Sequence, residues 1–166
     1  MKISYRLAGM DDLDDIARLV ERAVSRMERA GIHQWDSMYP AKEDFMHDIL
    51  KNELRAGIVN DSIAVVYAVN QECDEQYKNG EWQYTGGRFH VIHRLCVSPD
   101  FQNRGIARAA LTRIEAESAS LGMKSIRLDV FSENPYALRL YSSHGYHQVG
   151  IANFRKGIFL LMEKLL

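Results

Sequence analysis

Apolar positions along the chain repeat with two spacings, close to 2 and close to 3.6 residues, and each change of spacing marks the edge of a predicted element. Residues 3–7 alternate and predict a first strand, after which Gly9 or Asp11 is placed to cap a helix. Leu13, Ile16, Ala17, Val20, Val24 and Met27 recur at helical spacing behind an acidic first turn, and Gly31 supplies the stop. Residues 32–40, with Trp35 and Tyr39, form an aromatic connection that could act as a lid. They lead into a second amphipathic helix containing Phe45 and Ile49. Residues 57–59 and 63–69 read as two antiparallel strands joined through Asn60, Asp61 and Ser62, and residues 90–97 as a strand ending before Pro99. Ala107, Ala110, Leu111, Ile114, Ser118 and Leu121 mark one helix face closed by Gly122. A strand at 125–130, a helix opened by Asn134 and Pro135 and ended by Gly145, and strands at 146–152 and 158–163 complete the pattern.

One stretch has no period. Residues 71–88 are polar and contain Gly80, Gly86 and Gly87, and a connection of that length predicts a functional or mobile segment. With no internal repeat or linker, the 166 residues are expected to form one domain.

Composition narrows the function. Apolar residues are 46% and charged residues 26%, which excludes disorder and low-complexity scaffolds. Lys and Arg number 21 against 22 Asp and Glu, a formal net charge of −1, which argues against a broad electrostatic grip on nucleic acid or an anionic membrane. Two cysteines, Cys73 and Cys96, are too few for a disulfide framework, and no Cys/His spacing suggests a metal site. Absence of a signal-like N-terminus and of a long apolar run makes the cytoplasm the expected compartment.

An anion must therefore be held locally, and residues 97–107, VSPDFQNRGIA, offer a place. Here a strand turns into a helix, so the unpaired amides of a helix N-terminus gather around Gly105, where the backbone can be approached closely. Arg88, Arg94, Arg104, Arg108 and Arg113 against Asp100 alone make residues 88–113 locally basic. The spelling is neither that of a P-loop nor that of a dinucleotide fold. Gln102-Asn-Arg-Gly105-Ile-Ala107 resembles the pyrophosphate motif Gln/Arg-x-x-Gly-x-Gly/Ala of the GNAT family of N-acetyltransferases. A second stretch is similar to another motif of that family: Asn134, Ala137, Leu138, Leu140, Tyr141 and Gly145-Tyr146, with Tyr146 in place of Phe. Both occur in the family's order.

The resemblance implies an α/β fold with a central mixed, mostly antiparallel sheet flanked by helices. Its order is strand, two helices, three strands, helix, strand, helix and two strands. It also implies acetyl-CoA as cosubstrate and direct transfer of acetyl to a primary amine. On this resemblance Gln102, Asn103, Arg104, Gly105, Ile106, Ala107 and Arg108 grip the pyrophosphate, and the backbone of Leu95, Cys96 and Val97 meets the thioester. Asn134 assists binding and Tyr141 protonates the CoA sulfur. A phenol, protonated at neutral pH, suits that last role. Asn134 and Tyr141 are about two helical turns apart, so they share one face; alternatively they serve as an N-cap and a core aromatic.

An alkylammonium acceptor must lose a proton before it attacks. Candidates for the base are Asp129, where some protein-modifying relatives carry a catalytic Glu, His93 on the face of its strand shared with Val91 and Leu95, and water. Asp129 and His93 also have structural readings. Trp35 and Tyr39 could wall the acceptor pocket or anchor the core. Cys96 has no paired base and reads as a buried, unreactive thiol. The acceptor class stays open between a small amine and a protein N-terminus, and a noncatalytic acyl-CoA sensor is the alternative of a different kind. Family analogy points to a homodimer.

Overall fold

The computed structural model describes residues Met1–Leu166. Its elements run β1 (Ser4–Leu7), α1 (Leu13–Arg29), α2 (Lys42–Leu50), β2 (Leu54–Val59), β3 (Ser62–Asn70), β4 (Phe89–Val97), α3 (Ile106–Ser120), β5 (Ser125–Phe131), α4 (Pro135–Ser143), β6 (His147–Phe154) and β7 (Gly157–Leu165). This is the order expected from the sequence. The seven strands form one mixed sheet in the order β1-β2-β3-β4-β5-β7-β6. β4 and β5 are parallel, whereas β1-β2, β2-β3, β5-β7 and β6-β7 are antiparallel. The chain packs as two compact units, Met1–Val69 with His93–Ala110, and Asn70–Ile92 with Leu111–Leu166.

In the first unit, α1 lays Ile16, Leu19, Val20 and Ala23 on a core completed by Phe45 and Ile49 of α2, Leu54 and Ala56 of β2, Val66 and Ala68 of β3, and Cys96. Trp35, 9% exposed, belongs to this core. A 3-10 turn, Met10–Asp12, precedes α1, and Asp12 closes it by accepting from the Gly9 amide at 2.8 Å. The β2-β3 connection is tighter than the sequence pattern implies. Asn60 and Asp61 are both left-handed (φ 47° and 62°) and Ser62 already pairs with Val59, which is the two-residue hairpin favoured by strand twist. β2 begins at Leu54 rather than at residue 57. There Leu54 and Ala56 pair with Ala68 and Val66, while the intervening Arg55 and a register shift at Gly57/Ile58 obscure the alternation.

In the second unit, β5 pairs along its whole length with β7, and β6 flanks β7. Residues 71–88, which the sequence suggested to be functional or mobile, are tied down. They contain a 3-10 turn, Glu75–Asn79, that buries Tyr77 in a small core with Val91, Ala152 and Leu161. The Trp82 indole N–H donates to the Tyr77 carbonyl at 2.8 Å. The fully buried Glu163 carboxylate accepts the backbone amides of Gln83 (2.7 Å) and Tyr84 (3.2 Å). The Arg127 guanidinium lies between the rings of Trp82 and Phe89, at 4.3 and 3.8 Å from their centroids, and donates to the Tyr84 carbonyl at 2.7 Å.

Helix α3 buries Ile106, Ala110, Leu111, Ile114 and Ser118. Ala107 is only partly covered. Leu121 is 67% exposed because the helix ends at Ser120 and the chain turns at Gly122 (φ 79°) before the apolar face can repeat. No helix is long and apolar enough to cross a membrane.

Candidate active site

The candidate groups divide between the two units. In the first, β4 leads through Ser98 and the 3-10 turn Pro99–Phe101 into α3. The Ser98 amide donates to the Ala64 carbonyl (2.8 Å) and the Gln102 side chain donates to the Val97 carbonyl (3.2 Å), so the entrance to the turn is pinned on both sides. Asn103 (φ 60°) and Gly105 (φ 76°) are both left-handed. Such residues bend the backbone so that successive amides converge on one point, the geometry of an anion nest. The first helical bond of α3 runs from the Ala109 amide to the Gly105 carbonyl at 3.0 Å, so the amides of Gly105, Ile106 and Ala107 precede the hydrogen-bonded ladder. A Cβ added at Gly105 would meet nothing within 4 Å. Glycine is therefore demanded by the backbone angle, and the space in front of it is open. These features fit a pyrophosphate.

Local charge is smaller than the sequence suggests. Arg94 is held bidentately by Asp48 and Arg113 is paired with Glu117, while Asp100 is itself taken by Arg22 at 2.9 and 2.7 Å. Arg104 sits beside the Phe101 ring, 5.8 Å from its centroid. Backbone amides and the helix end would thus contribute more to holding an anion here than the counted arginines.

β4 departs from regular extension at Arg94, whose φ is +53°. A left-handed residue inside a strand bends it in the manner of a bulge and breaks the two-residue alternation. The shared face of Val91, His93 and Leu95 expected from alternation therefore does not extend past Arg94. Leu95, Cys96 and Val97, the residues assigned to the thioester, follow the bulge directly. His93 precedes it and is half-buried. Cys96 is buried, and burial pushes its thiol up to about 12, which suits a packing residue and not a nucleophile. Tyr39 is exposed at 40%, and its hydroxyl accepts from Arg94 Nη1 at 3.1 Å.

In the second unit, Asn134 caps α4: its Oδ1 accepts the Ala137 amide at 3.1 Å and Pro135 follows at the first helical position. Tyr141 lies on the same helix, 9% exposed, with its ring edge-on to Tyr146 at 5.8 Å between centroids. Burial raises the phenol well above its ordinary range, and the Asp129 carboxylate raises it further. Tyr141 thus keeps its proton through neutral pH.

Asp129, on β5, accepts from the Tyr77 hydroxyl at 2.7 Å. Burial lifts this carboxyl to about 6; the Tyr77 hydrogen bond opposes the rise and the Asp74 charge adds to it. Sequence reasoning missed Tyr77, whose partner is 52 residues away and which sits in the segment without periodicity. It also missed Asp48, which reads from the sequence as one polar residue of α2.

Comparison with known proteins finds relatives of this chain. Residues 65–146 match the model of the acetyltransferase (GNAT) family. A solved structure from Staphylococcus aureus Mu50, provisionally assigned as an acetyltransferase, is 30% identical, covers 97% of each chain and superposes with a TM-score of 0.77. The ribosomal protein bS18-alanine N-acetyltransferase of Salmonella typhimurium is 33% identical over 61 residues, 37% of this chain and 41% of that enzyme. The L-amino acid N-acyltransferase MnaT of Escherichia coli K12 is 32% identical over 68 residues, 40% of each. The match thus spans about two fifths of the length of these curated relatives.

Proposed function

Given that the chain belongs to the GNAT acetyltransferase family, we propose that it transfers the acetyl group of acetyl-CoA directly to a primary amine of a small molecule. The observation that carries this reading is Tyr141, a buried phenol on α4 whose burial holds its proton firmly.

Acetyl-CoA supplies an acetyl group already activated as a thioester. The residues Gln102–Arg108 hold its pyrophosphate through the amides heading α3, and Asn134 fixes the start of α4 that carries Tyr141. Backbone N–H groups after the Arg94 bulge, in Leu95–Val97, orient and polarise the thioester carbonyl. Asp129, mostly ionised above about pH 6, takes the surplus proton of the ammonium acceptor, directly or through water. The neutral nitrogen then attacks the carbonyl carbon and the carbon–sulfur bond breaks. Tyr141 passes its proton to the departing sulfur, and the proton released by the new amide nitrogen restores the phenol. His93 is a secondary candidate for the base. Trp35, part of the core, supports the acceptor side from within, and Tyr39 is exposed enough to meet the acceptor.

A protein N-terminal amine is the second acceptor class, favoured by the similarity to the bS18-alanine enzyme and by a carboxylate on β5. A homodimer working in the cytoplasm completes the proposal. The decisive assay follows CoA thiol release with amino acids, polyamines and short peptides in parallel, and single-turnover kinetics of Tyr141→Phe. Loss of the phenolic proton should slow the chemical step by about 10²-fold or more with little change in acetyl-CoA binding. An unchanged step would remove Tyr141 from the acid's role, and acetyl-CoA binding without acceptor-dependent thiol release would favour a sensor.

A further inference from the structure

The bulge in β4 is built on an arginine, although nothing about arginine favours a left-handed backbone. Strain of this kind persists only where the surroundings fix it. Around Arg94 they do. Its Nε and Nη2 reach Asp48 Oδ2 and Oδ1 at 2.7 and 2.6 Å, a bidentate pair, and its Nη1 donates to the Tyr39 hydroxyl at 3.1 Å. Asp48 is 2% exposed and sits on α2 between Phe45 and Ile49, both buried in the core of the same unit. The anchor is therefore rigid, and every nitrogen of the guanidinium has an acceptor.

We propose that Asp48 is a positioning residue, which through Arg94 locks the β4 bulge in its left-handed form and so presents the backbone N–H groups of Leu95–Val97 to the thioester carbonyl. The inference rests on the reading that the thioester is met there. It goes beyond that reading by assigning the geometry of the polarising backbone to a buried ion pair, with no role for Asp48 in binding or proton transfer. Separation of the pair by 46 residues in sequence explains why the local spelling of β4 carries no sign of the bulge.

Removing one partner would leave a buried charge uncompensated, which is costly whatever the pair does. The test therefore compares two charge-balanced double variants, Asp48→Ala with Arg94→Gly and Asp48→Ala with Arg94→Ala. Glycine takes a positive φ freely and alanine does not. Two readouts are used: hydrogen exchange of the Leu95–Val97 amides in the ligand-free protein, and the split between kcat and the acetyl-CoA Kd. The alanine variant should exchange these amides about tenfold faster than the glycine variant and have a kcat about tenfold below it, while Kd differs little between the two. Equal behaviour of the two double variants in exchange and in kcat would overturn the proposal and leave the pair as a tie for α2. Should the wild type transfer no acetyl group at all, the functional reading fails on its own, and the exchange comparison still decides whether the pair holds the bulge.

Discussion

Asp129→Asn should make the protein more stable at neutral pH, and the gain should vanish in acid. The Asp129 carboxyl has an ordinary value of 3.8 and is lifted to about 6 in the fold, chiefly by burial. Between those two values the folded protein holds a proton that the unfolded chain has released, so stability falls as pH rises from about 4 to about 6 and levels off above 7. At 1.36 kcal/mol per pH unit, the displacement costs the folded state about 3 kcal/mol on the alkaline side. Asparagine keeps an oxygen to accept from Tyr77 and has no charge to desolvate. Urea unfolding of wild type and variant, at pH 4, 5, 6, 7 and 8 and analysed at constant m, gives the difference free of other titrating groups. The difference should grow in favour of the variant through pH 5–6 and reach a plateau near the worked value, while turnover at neutral pH drops. A difference that does not depend on pH, or one that favours the wild type increasingly from pH 4 to 8, would refute the burial argument.

Other outcomes follow from the same geometry. Gly105→Ala should cost about 1–2 kcal/mol of stability through backbone strain alone, because its Cβ meets nothing, and should weaken CoA binding in calorimetry several-fold. Tyr77→Phe should destabilise by about 1–3 kcal/mol and move the acid limb of the pH–rate profile upward, since the lost hydrogen bond holds Asp129 down; an unmoved limb would remove Asp129 from the rate. In thiol titration at pH 8, Cys73 should react in the native protein, and Cys96, buried and pushed up to about 12, only after unfolding.

What the sequence makes legible is local. The anion turn shows in the Gly105 spelling because a left-handed residue at a helix entrance has few substitutes, and the start of α4 shows in Asn134-Pro135 because capping uses neighbours three residues apart. The hairpin at Asn60-Asp61 belongs to the same class, although its exact closure at Val59–Ser62 needed the register. The pairs that shape the candidate site are of another kind. Asp48 with Arg94, Tyr77 with Asp129 and Glu163 with the amides of Gln83 and Tyr84 join residues far apart in the chain, and none leaves a repeating pattern at either end. Local basicity misled for the same reason at Arg94, whose carboxylate partner Asp48 is brought by the fold, whereas the pairing of Arg113 with Glu117, one helical turn on, was open to view in the sequence. The apparent looseness of residues 71–88 had that origin too, since its anchors lie in β5 and β7.

The Glu163 anchor also sets an order of assembly during synthesis. Its carboxylate captures amides made 80 residues earlier, so Tyr77 and Trp82 emerge from the ribosome long before the strand that fastens their segment exists. Over that interval two large aromatic side chains wait without their final cover, which makes the growing chain most prone to clumping or chaperone capture until β7 is complete.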